Sequence, residues 1–307
     1  MMRICKRSGR ILRQTWAVTV YDFQQWQGNV RVILVFALAF ILCFLLSDKV
    51  VRFAAAHSTT LQIVEPFIWT FGDSDSILLA SVLLIFLFAD MPFLTPGTPF
   101  FLVRTSRKIW LAGQMLYIIL AVSLYLLFLL ASTAVLCMGS AFTADMWSPT
   151  AALLGYSGEG ESLSVPALVK TMEMTRPFAC LRVICGLILL YTLVLVFPML
   201  LFNLWKGQAA GIVGALAFSL YGFLLDPDRL QSLLQLPDQL AYKTRVLVGW
   251  LSPLNHATYS MHSFGYDSLP RLWQTGALFG ALLAVLAGLT LQCIRRYPFD
   301  FRGTEGL

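Results

Sequence analysis

Six apolar runs, at 32–47, 76–94, 109–138, 183–204, 209–225 and 273–294, leave this chain few ways to fold. A helix needs about 20 apolar residues to cross a hydrocarbon layer about 30 Å thick. Inside that layer the backbone finds no water, so each crossing must satisfy its own hydrogen bonds as a helix. Composition agrees: 58% of residues are hydrophobic and 12% charged, where soluble domains carry about 25% charged residues. The expectation is an all-α polytopic membrane protein with six transmembrane helices.

Two runs are weak. The first is short, although it extends toward Phe53 if Asp48 and Lys49 snorkel to the interface. The second is interrupted by Asp90 and Pro92. Charge bias supports both. With six crossings and a cytoplasmic N-terminus, 62 residues lie inside with 13 Lys or Arg and three acids, and 119 lie outside with nine and 12. That is the asymmetry of the positive-inside rule. Dropping the second span would place Arg104, Arg107 and Lys108 beside the acidic loop 48–75. The expected organisation is an N-terminal segment over 1–31, a transmembrane domain over 32–294 and a cytoplasmic tail over 295–307. Large outer loops cover 139–182 and 226–272.

Tryptophans at span ends, Trp110, Trp205 and Trp273, match an interfacial aromatic belt. The leader before residue 32 is too long for a signal peptide. Within it, Leu12, Trp16, Val20 and Phe23 share one helical face, which predicts an interfacial helix. A solvated basic arm is the alternative.

Catalytic signatures are missing from the sequence. It has no phosphate-binding G-x-x-x-x-G-K-[ST], no H-E-x-x-H and no G-x-S-x-G elbow. The six cysteines form no C-x-x-C pair, which argues against a disulfide framework or zinc site. His57, His256 and His262 all fall outside the membrane, and the six-residue step between the last two suits no single helical face. Metal, cofactor and catalytic residues are therefore all expected to be none. The basic charge sits beside apolar runs, so the partner it indicates is the lipid bilayer and not nucleic acid. Ion-coupled carriers bury ionisable groups in their spans. Here Asp90 and Arg182 lie within reach of the interface, so any transport work must be powered elsewhere.

Three further patterns stand out. Gly207 and Gly211 form one G-x-x-x-G, while Gly276, Gly280, Ala284 and Gly288 form a small stripe on the last span, a helix-packing signal. Pro198 is expected to kink the fourth span. In the inner loop 95–108, Thr98 can cap and Pro99 can start a short helix carrying Phe100, Phe101 and Leu102 beside Arg104, Arg107 and Lys108. It forms either a docking knob or a turn anchored on lipid headgroups. The outer segment 226–272, with Trp250, Pro253 and Tyr259, can cap a pathway or dip back into the bilayer.

The inner run from Phe100 through Arg104, Thr105, Ser106, Arg107 and Lys108 to Trp110, Gly113 and Gln114 resembles permease subunits of bacterial type 2 ATP-binding-cassette exporters. So do Leu251–Ser252–Pro253–Leu254–Asn255–His256, the stretch from Asp267 to Pro270, and the basic-aromatic end from Ile294 to Phe299. The resemblance implies a plasma-membrane dimer of identical or different permeases bound to two separate ATPase subunits, which carry the ATP and Mg. It implies that the inner loop is the coupling helix, with Phe100, Phe101 and Arg104 inserted into the ATPase. It also implies that Trp250, Pro253, Asn255 and His256 belong to a re-entrant outer gate. Charge-poor spans point to an apolar or amphipathic cargo, such as a peptide, lipid or drug-like molecule. A non-transporting membrane protein, such as an immunity or sensor partner, is the rival reading. The 139–182 loop is larger than a minimal permease needs.

Overall fold

A computed structural model describes residues 2–92, 105–162, 165, 169–225, 227–233, 235, 237, 241–265 and 267–297. Among the described residues, four helices are long and apolar enough to cross a membrane: α2 (Val30–Ala56), α5 (Arg107–Cys137), α9 (Pro177–Lys206) and α14 (Leu272–Arg296). A fifth candidate is a broken pair, α3 (Glu65–Phe71) and α4 (Ser74–Leu87), bent by 87°. The architecture is therefore helical and compatible with a polytopic membrane protein. The remaining apolar helix, α10 (Gln208–Leu224), has 17 residues and a length of about 26 Å.

The helices are solvated inside out. Ile33, Leu34, Leu38, Ile41 and Leu45 of α2 are exposed, as are Leu278, Leu282, Val285 and Leu289 of α14. Such continuous apolar faces are tolerable only against lipid or another protein. By contrast, α9 is the hub. Two-thirds (67%) of its most apolar window is buried, against 28% for α2 and 22% for α14. It packs on α10, α14, α5 and α3. Its helix runs on through Pro198, the residue expected to kink it, to Lys206. Gly207, at φ +96°, makes the turn into α10, a conformation side chains resist.

The first span begins near its expected start but extends to Ala56, with Asp48 and Arg52 pairing at 2.7 Å one turn apart. The second differs more. Its straight part, α4, stops at Leu87, and the chain before it turns sharply at Gly72 and Asp73. Asp73 caps α4 by accepting from Asp75 N, so this helix starts close to the expected position 76, while α3 forms within the stretch expected as a loop.

Polar side chains inside the spans mostly satisfy themselves. Ser47, Ser81, Thr192 and Thr290 each donate to the carbonyl four residues earlier, at 2.6–2.8 Å. Tyr125 ties α5 to α4 through the Ala80 carbonyl, at 3.1 Å.

Ahead of the spans, α1 (Met2–Gln24) lies along α5. Gly113 permits the contact, because a Cβ there would lie 2.6 Å from the Val18 Cβ. Thr19 donates to the Gly113 carbonyl and Gln114 to the Asp22 carboxylate, at 3.0 and 2.7 Å. Burial pushes the Asp22 carboxyl up to about 7, partly offset by that Gln114 bond. Leu12 and Trp16 face outward, 68% and 55% exposed, beside exposed Arg10 and Arg13. The expected apolar face is thus split: its first half is free for a membrane interface, while the packed side centres on Val18, Thr19 and Asp22. Trp110 also departs from expectation, being 2% exposed, whereas Trp205 and Trp273 are 65% and 67% exposed.

The described parts of the loops after α2 and α5 are folded. A two-residue parallel pairing, Leu61 with Ala141 and Gln62 with Phe142, joins the loop after α2 to the loop after α5. Beyond it lie α6 (Pro149–Tyr156), α7 (Glu159–Ser162) and α8 (Val169–Met174). Glu65, fully buried, accepts from Ser148 N at 2.7 Å, from Ser148 Oγ at 2.5 Å and from Gln62 N at 3.2 Å. Trp147 stacks on Trp69 and donates to the carbonyls of Met172 and Thr175.

Candidate functional site

The segment before the last span forms α11 (Pro227–Leu233), α12 (Ala241–Leu251), α13 (Pro253–Ala257) and a single 3-10 turn over Tyr259–Met261. Ser252 separates α12 from α13. Its hydroxyl receives a bond from Asn255 N, capping α13, and donates to the Gly222 carbonyl at the end of α10, at 2.9 Å. Pro253 follows at the first helical position, where its missing N–H costs nothing. Gly222 packs closely on α13, since a Cβ there would lie 3.1 Å from the Leu254 Cβ. The fold-back is thus pinned to the helix that precedes it.

It is also pinned to the helix that follows. His256 and His262 converge on one hydroxyl, that of buried Thr275 near the start of α14, at 2.8 and 3.0 Å. Sequence spacing gave no hint of this meeting, because the chain leaves α13 and turns back through the 3-10 segment. His256 Nε2 faces the Trp250 carbonyl, and His262 Nδ1 faces the Thr258 carbonyl. Carbonyls only accept, so those two nitrogens carry protons. Thr275 has one proton to offer, so two neutral rings cannot both be bonded to it at once. Burial lowers the pKa of His256 and brings that of His262 to about 4. Lys170, ion-paired with Asp267 at 2.7 Å, adds a positive charge near His262. Trp250 donates to the Ser268 carbonyl at 3.1 Å, and Phe279 meets the His256 ring edge to face at 5.9 Å.

A cavity of about 390 Å³ opens where this segment meets the turn before α4. Asp73, Asp75, Asn255, Thr258 and Ser260 give it a polar, acidic wall. Of the expected gate residues, Asn255 therefore lines a cavity, while Trp250, Pro253 and His256 brace the fold around it.

No family model, characterised protein or solved structure matches this chain. The other sequence-derived sites are placed by geometry alone. Thr98, Pro99, Phe100, Phe101, Leu102 and Arg104 lie outside the described residues. Arg107 and Lys108 begin α5, where Ser106 caps the helix. Arg107 donates to the carbonyls of Arg295 and Tyr297, both at 3.2 Å, bringing the start of α5 beside the end of α14. At the same end Arg31 pairs with Asp90. Gly211 packs against Asn203 and Met199 of α9, leaving 2.7 Å between a built Cβ and the Met199 carbonyl. Gly276, Gly280 and Gly288 have open space at that position, and Gly280 and Ala284 are exposed. The small stripe is not used for packing within the chain. Among the described residues no group of three His, Cys, Asp or Glu could hold a metal, and the five cysteines with described side chains are free.

Proposed function

We propose that this chain is the membrane subunit of an ATP-driven exporter, crossing the membrane six times with both termini cytoplasmic. It couples hydrolysis on a separate ATPase to movement of an apolar or amphipathic cargo. The observation that carries this reading is the fold-back of α12 and α13. It is fastened to the end of α10 and the start of α14, at the end of α14 remote from Arg107 and Lys108. A short basic-aromatic loop on one side and a braced outer gate on the other are what alternating access between two sides requires. Arg31, Arg107, Lys206 and Arg295 mark one end of the helices, which the positive-inside rule makes cytoplasmic. The second crossing is then α4 and the fifth α10. Both are short, and their outer ends are roofed by the folded loops.

In this reading Phe100, Phe101 and Arg104 form the surface that enters the ATPase, and a second permease packs alongside. The stripe of Gly276, Gly280, Ala284 and Gly288, exposed at Gly280 and Ala284, is a face on which helix backbones can approach closely. Replacing Phe101 with Asp is expected to abolish capture of the ATPase while leaving membrane insertion unchanged. Undiminished ATPase capture by that variant, measured on detergent-extracted protein, would remove the coupling assignment.

A further inference from the structure

Between the basic-end halves of α9 and α14 runs a groove of about 860 Å³. Its walls are apolar, formed by Phe202, Trp205, Leu286 and Leu289, and its mouth carries Arg295 and Arg296. Phe202 and Trp205 stack with their ring planes 25° apart, and Lys206 lies 4.9 Å from the Trp205 ring centre. Arg295 and Arg296 are exposed, and among the described residues neither has a carboxylate partner. An apolar slot ending in two exposed guanidinium groups beside an aromatic anchor has the charge and polarity pattern of a phospholipid in reverse.

We infer that this groove holds an anionic phospholipid, with its phosphate on Arg295 and Arg296 and an acyl chain along Phe202, Leu286 and Leu289. Guanidinium groups match phosphate oxygens with paired N–H donors, and each basic residue near an anionic surface contributes about 1 kcal/mol. A zwitterionic lipid fills the same slot but gains less from the arginines. The groove is separate from the outer cavity, and its occupancy does not depend on what the chain exports or which leaflet this end faces.

Trp205 gives the test, because it lies in the groove and is exposed. The full chain is placed in phosphatidylcholine vesicles containing brominated phosphatidylglycerol or, separately, brominated phosphatidylcholine. Quenching is assigned to Trp205 by subtracting the signal of the Trp205→Phe variant. Half-maximal quenching is expected at a roughly five- to thirty-fold lower mole fraction of the brominated phosphatidylglycerol, the range that one or two such contacts supply. The double variant Arg295→Gln, Arg296→Gln is expected to lose that preference while its helix content and elution volume stay unchanged. Equal quenching by the two lipids in the native chain overturns the inference, as does a preference that survives in the double variant. Absence of quenching by either lipid also overturns it, because the groove would then be covered by protein.

Discussion

At the scale of single residues, Glu65 is the most consequential side chain that no sequence pattern pointed to. It holds the loop after α2 to the loop after α5 by accepting from Ser148, 83 positions away, and from Gln62. Replacing it with Ala leaves two buried backbone N–H groups without acceptors, and each costs on the order of 1–3 kcal/mol. The expected result is faster proteolysis of the 139–182 loop in detergent, with the spans intact. The two histidines make a pH prediction. His262 has a folded pKa of about 4, below its usual 6.5, so the fold favours the neutral ring. That stability is fully present above pH 6.5 and is lost as pH falls toward 4, by an amount on the order of 2–3 kcal/mol. The proton that then completes the His256–Thr275–His262 chain offsets part of the loss. Thermal midpoints measured from pH 7.5 down to 4.5 should fall less steeply in His262→Gln than in the native chain.

At the scale of elements, the two G-x-x-x-G-type patterns separate cleanly. Gly211→Ala forces a Cβ against Asn203 and Met199 and should destabilise the α9–α10 hairpin by about 1–3 kcal/mol, the usual cost of overpacking. Gly280→Ala meets open space within the chain and should leave its unfolding midpoint in detergent within a few degrees of native. Any effect of that change should surface in assembly, read as a shift in elution volume. The elements also mark where the sequence was readable. The cores of α2, α5, α9 and α14 fell where unbroken apolar runs placed them, because hydropathy alone decides what enters a bilayer. The start of α4 was readable from the polar Gly72-Asp73-Ser74-Asp75-Ser76 stretch, whereas α3 was not, because the seven residues from Glu65 to Phe71 are too few to stand out as a span. The segment through Trp250, Pro253 and His256 was legible as a distinct unit before the last long apolar run. Its bracing was not, because Thr275 lies 13 and 19 residues from the two histidines that share it.

At the scale of the whole molecule, the chain divides work between its ends. One end is roofed by folded loops pinned through Glu65, Trp147 and the histidine pair. The other gathers Arg31, Arg107, Lys206, Arg295 and Arg296 around short connections. Between them the helices carry few charges, and the span hydroxyls named above return to their own backbone, so these groups form no ion-coupling chain. In the proposed reading, energy reaches this scaffold from an ATPase bound at the basic end. The most direct test is affinity capture of the tagged full-length chain from mild detergent, with and without crosslinking, followed by identification of the proteins retained. A stoichiometric soluble chain with a G-x-x-x-x-G-K-[ST] phosphate loop is the expected result. Recovery of this chain with no such ATPase, even after crosslinking, would contradict it and favour a membrane protein that transports nothing.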